Sequence, residues 1–238
     1  MMMRKVMRKV ARNVARNVAR KVLAYVCYGI FLAGLGGYAG LRLSARAVLT
    51  TAGEVLTQTA ICAFLIAGTA LLAGCLTAAS AARLVRVTVW ILFVFYSLYL
   101  GYLLLASAAF SRTATSLGYA DYFHSAVNLV PFRMIAVYFR SSPRYFVINF
   151  LGNIAAYAPL GLLLPALFRR LRRFRRFVVA AVLLPAAMEA SQFALRVGRC
   201  DVDDVILNTT GMLIMFFVFR AALRMGIFRK VAERLGHR

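Results

Sequence analysis

The chain has 238 residues, of which 63% are hydrophobic and 16% charged, with a mean hydropathy of +0.77. An ordinary soluble domain carries about 45–50% apolar and about 25% charged residues, so this composition excludes one. Thirty Lys and Arg oppose seven Asp and Glu, for a net charge of +23; the basic residues stand in short blocks between long apolar runs, which is the pattern of membrane topology and not of a nucleic-acid surface.

The first 21 residues repeat with a period near four, from Arg4-Lys5-Val6-Met7 to Arg16-Asn17-Val18-Ala19. A period of four drifts from the 3.6 of a helix, so the apolar stripe winds round the axis. The segment reads as a basic, charge-anchoring tail; the alternative is an interfacial helix drawn to anionic lipid. An apolar run near Val22–Leu41 follows and contains Gly36 and Gly40, a GxxxG pair that permits close helix approach. Ala45-Arg46-Ala47 resembles a signal-peptidase site. The run before it is nearer 20 residues than the 7–15 of a signal core, so it is read as the first span.

About 20 apolar residues are needed to cross about 30 Å of hydrocarbon. Five further runs meet that length, near Val55–Ala79, Val87–Phe110, Tyr145–Phe168, Phe177–Leu195 and Val202–Leu223. The predicted fold is an all-α polytopic bundle of about six spans. With the N-terminus inside, 22 Lys and Arg fall on cytoplasmic segments and 8 on outer ones, which predicts both termini in the cytoplasm. The expected division is a basic tail over 1–21, two N-terminal spans over 22–83, a four-helix membrane domain over 84–223 and a second basic tail over 224–238. Cys27, Cys62 and Cys75 lie within apolar runs and Cys200 stands alone in a loop. No disulfide framework or metal spacing follows from them.

Polar residues concentrate late in the chain. Asn149 and Asn153 are four apart in the fourth span, and Glu189 and Gln192 three apart in the fifth, so each pair is expected on one helix face. Asp201, Asp203, Asp204 and Asn208 open the sixth. Four of the seven acidic residues therefore lie between 189 and 204. A carboxylate at mid-membrane costs about 2.5–3.5 kcal/mol on insertion scales, so it persists only when paired, protonated or facing a wet cavity. The predicted orientation puts all three polar faces in the outer half of the bilayer. The expectation is one outward-facing polar pocket, with Arg196 and Arg199 above it and Glu189 balanced by Arg199 or the Asn amides. Pro159, Gly161 and Pro185 are expected to break the helices that line it. The apolar stretch ending at Phe139 in the long loop 111–144 is too short to span; it is expected to lie in the interface or to dip back as a lid. His124 precedes its apolar stretch.

Three groups of residues carry a family resemblance. They are Asn128-Leu129-Val130-Pro131-Phe132; Asn149-Phe150-Leu151-Gly152-Asn153 with Pro159-Leu160-Gly161; and Glu189-Ala190-Ser191-Gln192 with Arg199 and Asp203-Asp204-Val205-Ile206-Leu207-Asn208-Thr209-Thr210-Gly211. Over roughly residues 85–220 the chain resembles the VanZ-like membrane family. That resemblance implies a multi-pass protein of the bacterial cytoplasmic membrane, linked to the envelope and to teicoplanin tolerance. It does not supply a reaction.

The expected site residues are Asn128, Pro131, Phe132, Asn149, Asn153, Glu189, Gln192, Arg199, Asp203, Asp204 and Asn208. Their expected partners are membrane lipids and a lipid-linked envelope precursor or lipoglycopeptide, with no cofactor, no resident metal and no nucleic acid. Two other classes compete. One is an integral membrane enzyme acting on a polyprenyl-phosphate or lipid, with Mg²⁺ held by Glu189, Asp203 and Asp204 and with Glu189 or His124 as base. The other is a small transporter with Glu189 as a proton-linked carboxyl group.

Overall fold

The computed structural model describes residues 2–43, 51–105, 119–197 and 199–224. The protein is an all-α membrane bundle. Helix α1 covers Met2–Leu43, α2 Thr51–Ala73 and α3 Ala78–Leu105. Shorter elements follow: α4 (Tyr119–Ala126), strand β1 (Val127–Asn128), α5 (Arg133–Arg140) and α6 (Pro143–Phe146). A π-helical turn over Val147–Leu151 leads into α7 (Gly152–Leu167). A 3₁₀ turn over Arg169–Arg172, α8 (Phe174–Ala194), strand β2 (Cys200–Asp201) and α9 (Val202–Arg224) complete the order.

Five helical stretches are long and apolar enough to cross a membrane: Met2–Gly37, Ala79–Leu105, Pro143–Leu167, Phe174–Ala194 and Val202–Arg224. The remaining expected span, α2, contributes the shorter apolar helix Ala60–Ala73 among its described side chains. The basic tail and the first span form one continuous helix. The Ala45-Arg46-Ala47 segment, which resembles a signal-peptidase site, lies outside the described residues.

The described chain divides into two compact units, one up to Thr88 and the other from Val89 onward. In the first unit, α1 and α2 pack through small residues. A Cβ on Gly68 would meet Cys27 Cβ at 3.1 Å and the Ala24 carbonyl at 3.2 Å, and one on Gly34 would meet Ile61 Cγ1 at 3.0 Å. Gly36 has no neighbour within 4 Å, so it takes no part in this approach. Polar contacts in this unit meet at Thr69, whose Oγ1 lies 2.8 Å from Thr88 Oγ1 and 3.2 Å from Tyr28 Oη and donates to the Leu65 carbonyl.

In the second unit the tightest seam joins α7 and α9. A Cβ on Gly211 would stand 1.9 Å from the Ile154 carbonyl oxygen, and one on Gly161 would stand 2.3 Å from that of Met212. The glycines let two backbones touch, so dispersion is gained along the crossing where no side chain fits. Asn153 bonds Asp204, Ile154 meets Gly211 and Gly161 meets Met212, so the two helices run in the same sense. Helix α8 runs against α9: Glu189 meets Asp201 while the Ala181 carbonyl meets Thr209. The apolar core below holds Leu160, Leu164, Phe177, Met212 and Phe216, with Phe177 and Phe216 stacked at 4.2 Å between ring centroids.

The prolines do not break these helices. Helices α7 and α8 continue through Pro159, Pro165 and Pro185. Pro185 leaves the Ala181 carbonyl without its helical donor, and Thr209 Oγ1 of α9 supplies one at 2.9 Å. At the far end of α7, Arg172 donates to the Pro165 and Ala166 carbonyls and so caps the helix. Burial and the neighbouring Arg169 push the Arg172 guanidinium below its ordinary pKa. The irregular turn lies elsewhere, in the π-helix Val147–Leu151 that precedes α7.

Candidate functional site: a polar cluster beneath a surface helix

The site begins where β1 and β2 pair in parallel, with Val127 opposite Cys200 and Asn128 opposite Asp201. This two-residue ladder ties the segment before α5 to the connection between α8 and α9. Asn128 serves both strands: its Oδ1 accepts from the Val130 N–H, which turns the chain, and its Nδ2 donates to Asp201 Oδ1 at 2.9 Å. Asp201 Oδ1 also accepts from the Asp203 N–H at 2.9 Å, making Asp201 the N-cap of α9. The Asp201 N–H donates to Glu189 Oε2 at 3.0 Å. Burial raises the Asp201 carboxyl above its ordinary pKa, although the Asn128 and Asp203 hydrogen bonds act against that shift.

Asp203 is wholly buried. Its Oδ1 accepts from the Phe132 N–H at 2.6 Å, and its Oδ2 from the Met134 and Ile135 N–H groups at 2.7 and 3.1 Å. These are the first amides of α5, which no side chain within its own segment caps. The carboxylate therefore satisfies orphan donors and also stands at the positive end of that helix. Phe132 adopts a left-handed backbone conformation, φ 66°, to bring its N–H onto the same carboxylate.

Asp204, one residue on, points to a different face. Its Oδ1 accepts from Asn153 Nδ2 of α7 and lies 3.5 Å from the Tyr138 hydroxyl of α5. Tyr138 is buried, and that burial and Asp204 both raise its phenol pKa. Tyr157 Oη and Asn208 Oδ1 are buried and have no hydrogen-bond partner among the described residues. Each lies one helical turn beyond the Asn153–Asp204 pair, on the facing stripes of the parallel α7 and α9.

The structure brings Asn128, Asn153, Glu189, Asp203 and Asp204 together and corrects several expectations. Instead of lining an open pocket, Asn128, Glu189, Asp201 and Asp203 are each at most 5% exposed in a closed cluster. Glu189 is held by the Asp201 backbone and not by Arg199 or an Asn amide. Arg199 is exposed and acts electrostatically on Asp201. Asn149, within the π-turn that precedes α7, donates its amide to the Tyr145 carbonyl one turn earlier. Gln192 bonds the Leu104 carbonyl at 2.9 Å, joining α8 to α3 away from the cluster. Pro131 and Phe132 are exposed, and the side chain of His124 lies outside the described residues.

Sequence reasoning left out of the site Asp201, Tyr138 and Tyr157. Asp201-Val202-Asp203 at the head of an apolar run is an N-cap signal, and Met134, Ile135 and Tyr138 mark the inner face of a short amphipathic helix.

The Mg²⁺ expectation does not fit these side chains. Both Asp203 oxygens are engaged by backbone N–H groups, and no group of three His, Cys, Asp or Glu among the described residues is placed to hold a metal ion.

A bundle of membrane-length helices with an acidic cluster under a capped surface helix defines a multi-pass membrane protein with a built polar site. Residues 93–225, more than half of the chain, match the VanZ/LLP1 family model, and the chain belongs to this VanZ-like family. No curated protein and no solved structure matches the chain.

Proposed function

We propose that this chain is a bacterial cytoplasmic-membrane protein that engages a lipid-linked envelope precursor or lipoglycopeptide at the rim of the polar cluster and so modulates susceptibility to teicoplanin. One observation carries the reading: carboxylates from α8, β2 and α9 meet Asn153 and the 127–138 segment at one depth, with Asn153 and Asp204 partly accessible at the edge. Asp204 and Asn153 suit amide and ammonium donors of a ligand, and exposed Arg199 suits phosphate. The excess of Lys and Arg on the predicted cytoplasmic segments supports an exoplasmic position for the rim.

The test is teicoplanin sensitivity in a host expressing Glu189→Gln or Asp204→Asn, with membrane levels of each variant measured in parallel. Loss of protection at normal levels is the expected result. Full protection by both variants overturns the reading.

A further inference from the structure

We propose that the outer face of α5 and the turn after it form a docking surface for the anionic phosphate layer of the bilayer's own lipids. Residues 122–188 contain no Asp or Glu, yet Arg133, Arg140 and Arg144 stand exposed there. The acidic side chains beneath α5 are already committed. Asp203 holds three backbone amides, and Asp204 holds Asn153 with Tyr138 beside it. None of the three arginines has an ion-pair or side-chain hydrogen-bond partner among the described residues, so no described side chain supplies their counter-charge.

The helix geometry arranges them for a plane. Tyr138 is buried and Met134 and Ile135 are partly buried against the protein. Arg133 and Arg140 are seven residues apart on the opposite face, two turns along one side, with exposed Val137 between them. Apolar side chains flank this face: Leu129, Phe132 and Phe139 are 67%, 63% and 64% exposed. Phe139 also packs edge-on to Phe150 at 5.2 Å. Arginines among exposed aromatics on a short amphipathic helix are the chemistry of the headgroup layer, where apolar groups enter the acyl boundary and guanidinium groups meet phosphate. The Asp203 clamp holds the element in that pose, so little ordering is left for contact with lipid.

The surface is read on the unmodified chain in lipid nanodiscs, by the rate at which phenylglyoxal modifies each arginine, resolved by mass spectrometry and normalised to free acetyl-arginine in the same sample. Replacing phosphatidylcholine with a mixture containing phosphatidylglycerol should slow modification of Arg133, Arg140 and Arg144 by about fivefold each. About 1 M salt should restore the rates, because screening then acts within about 3 Å. Equal rates in the two lipids overturn the proposal. So does protection that phosphatidylglycerol fails to give and added polyprenyl diphosphate does, since that outcome assigns the arginines to a lipid-linked precursor. Protection that persists in high salt also overturns it.

Discussion

The α1–α2 pair and the α7–α9 seam both use glycine to bring helices together, but they do so differently. At Gly34 the nearest atoms an added methyl would meet belong to the side chain of Ile61, from 3.0 Å, and at Gly68 nothing stands closer than 3.1 Å. At Gly161 and Gly211 they are backbone carbonyls, at 2.3 and 1.9 Å. A side chain can shift by a few tenths of an ångström, whereas a carbonyl moves only with its helix. The seam that cannot yield is also the one that carries the polar cluster. Rigid backbone contact there places Asn153 against Asp204, a pairing that a helix shift of one turn would abolish.

The widest separation between the two regions is expected from glycine substitution. Gly211→Ala should cost about 3 kcal/mol or more and remove most folded protein, while Gly34→Ala should cost about 1 kcal/mol or less. Thermal unfolding in detergent, followed by size-exclusion recovery, measures both. Similar losses for the two would erase the distinction.

The polar contacts should separate in the same direction. Asp203→Ala leaves three amides of α5 without an acceptor and should cost about 3 kcal/mol, as hydrogen bonds to a charged group do. The loss should be local, appearing as faster amide exchange over residues 132–140 with α7 to α9 still protected. Thr69→Val breaks the hydroxyl contacts to Tyr28 and Thr88 in the first unit, where membrane hydrogen bonds are worth about 0.6 kcal/mol each. If Asp203→Ala left exchange over α5 unchanged, the clamp would not be what holds that helix.

A smaller effect concerns pH. The Asp201 carboxyl is raised in the folded protein, so the folded state holds its proton more tightly than the unfolded chain does. This contribution to stability is greatest below the ordinary Asp value, near pH 4, and declines as pH rises through the raised value. Asp201→Asn keeps an acceptor oxygen for Asn128 and the Asp203 N–H, and should flatten that decline. Melting temperatures between pH 4 and pH 7 compare the slopes; an unchanged slope rejects the assignment.

The smallest effect tests the Tyr157 hydroxyl. Tyr157→Phe removes a buried hydroxyl that has no hydrogen-bond partner among the described residues, and stability should stay the same or rise by about 1 kcal/mol. A clear loss of stability would show that the hydroxyl is satisfied in the working protein.

Composition and the length of the apolar runs were enough to determine a helical membrane bundle, because hydrocarbon requires every span to satisfy its own backbone. The clustering of carboxylates between 189 and 204, together with Asn153, marked the right helices, because acidic residues in apolar runs need partners. The motif residues from 128 onward pointed to the VanZ-like family. Tertiary structure alone decided what each polar group does. Asp203 and Asp204 are neighbours in sequence, yet one caps a helix about 70 residues earlier in the chain and the other bonds α7. Asn149 and Asn153 are four apart, yet one bonds the Tyr145 carbonyl of its own segment and the other bonds Asp204 of α9, and Pro159 and Pro185, which looked like breaks, sit within continuous helices. The partner of a buried polar group is whatever the fold brings within about 3 Å, and spacing along one helix carries no information about contacts made from another.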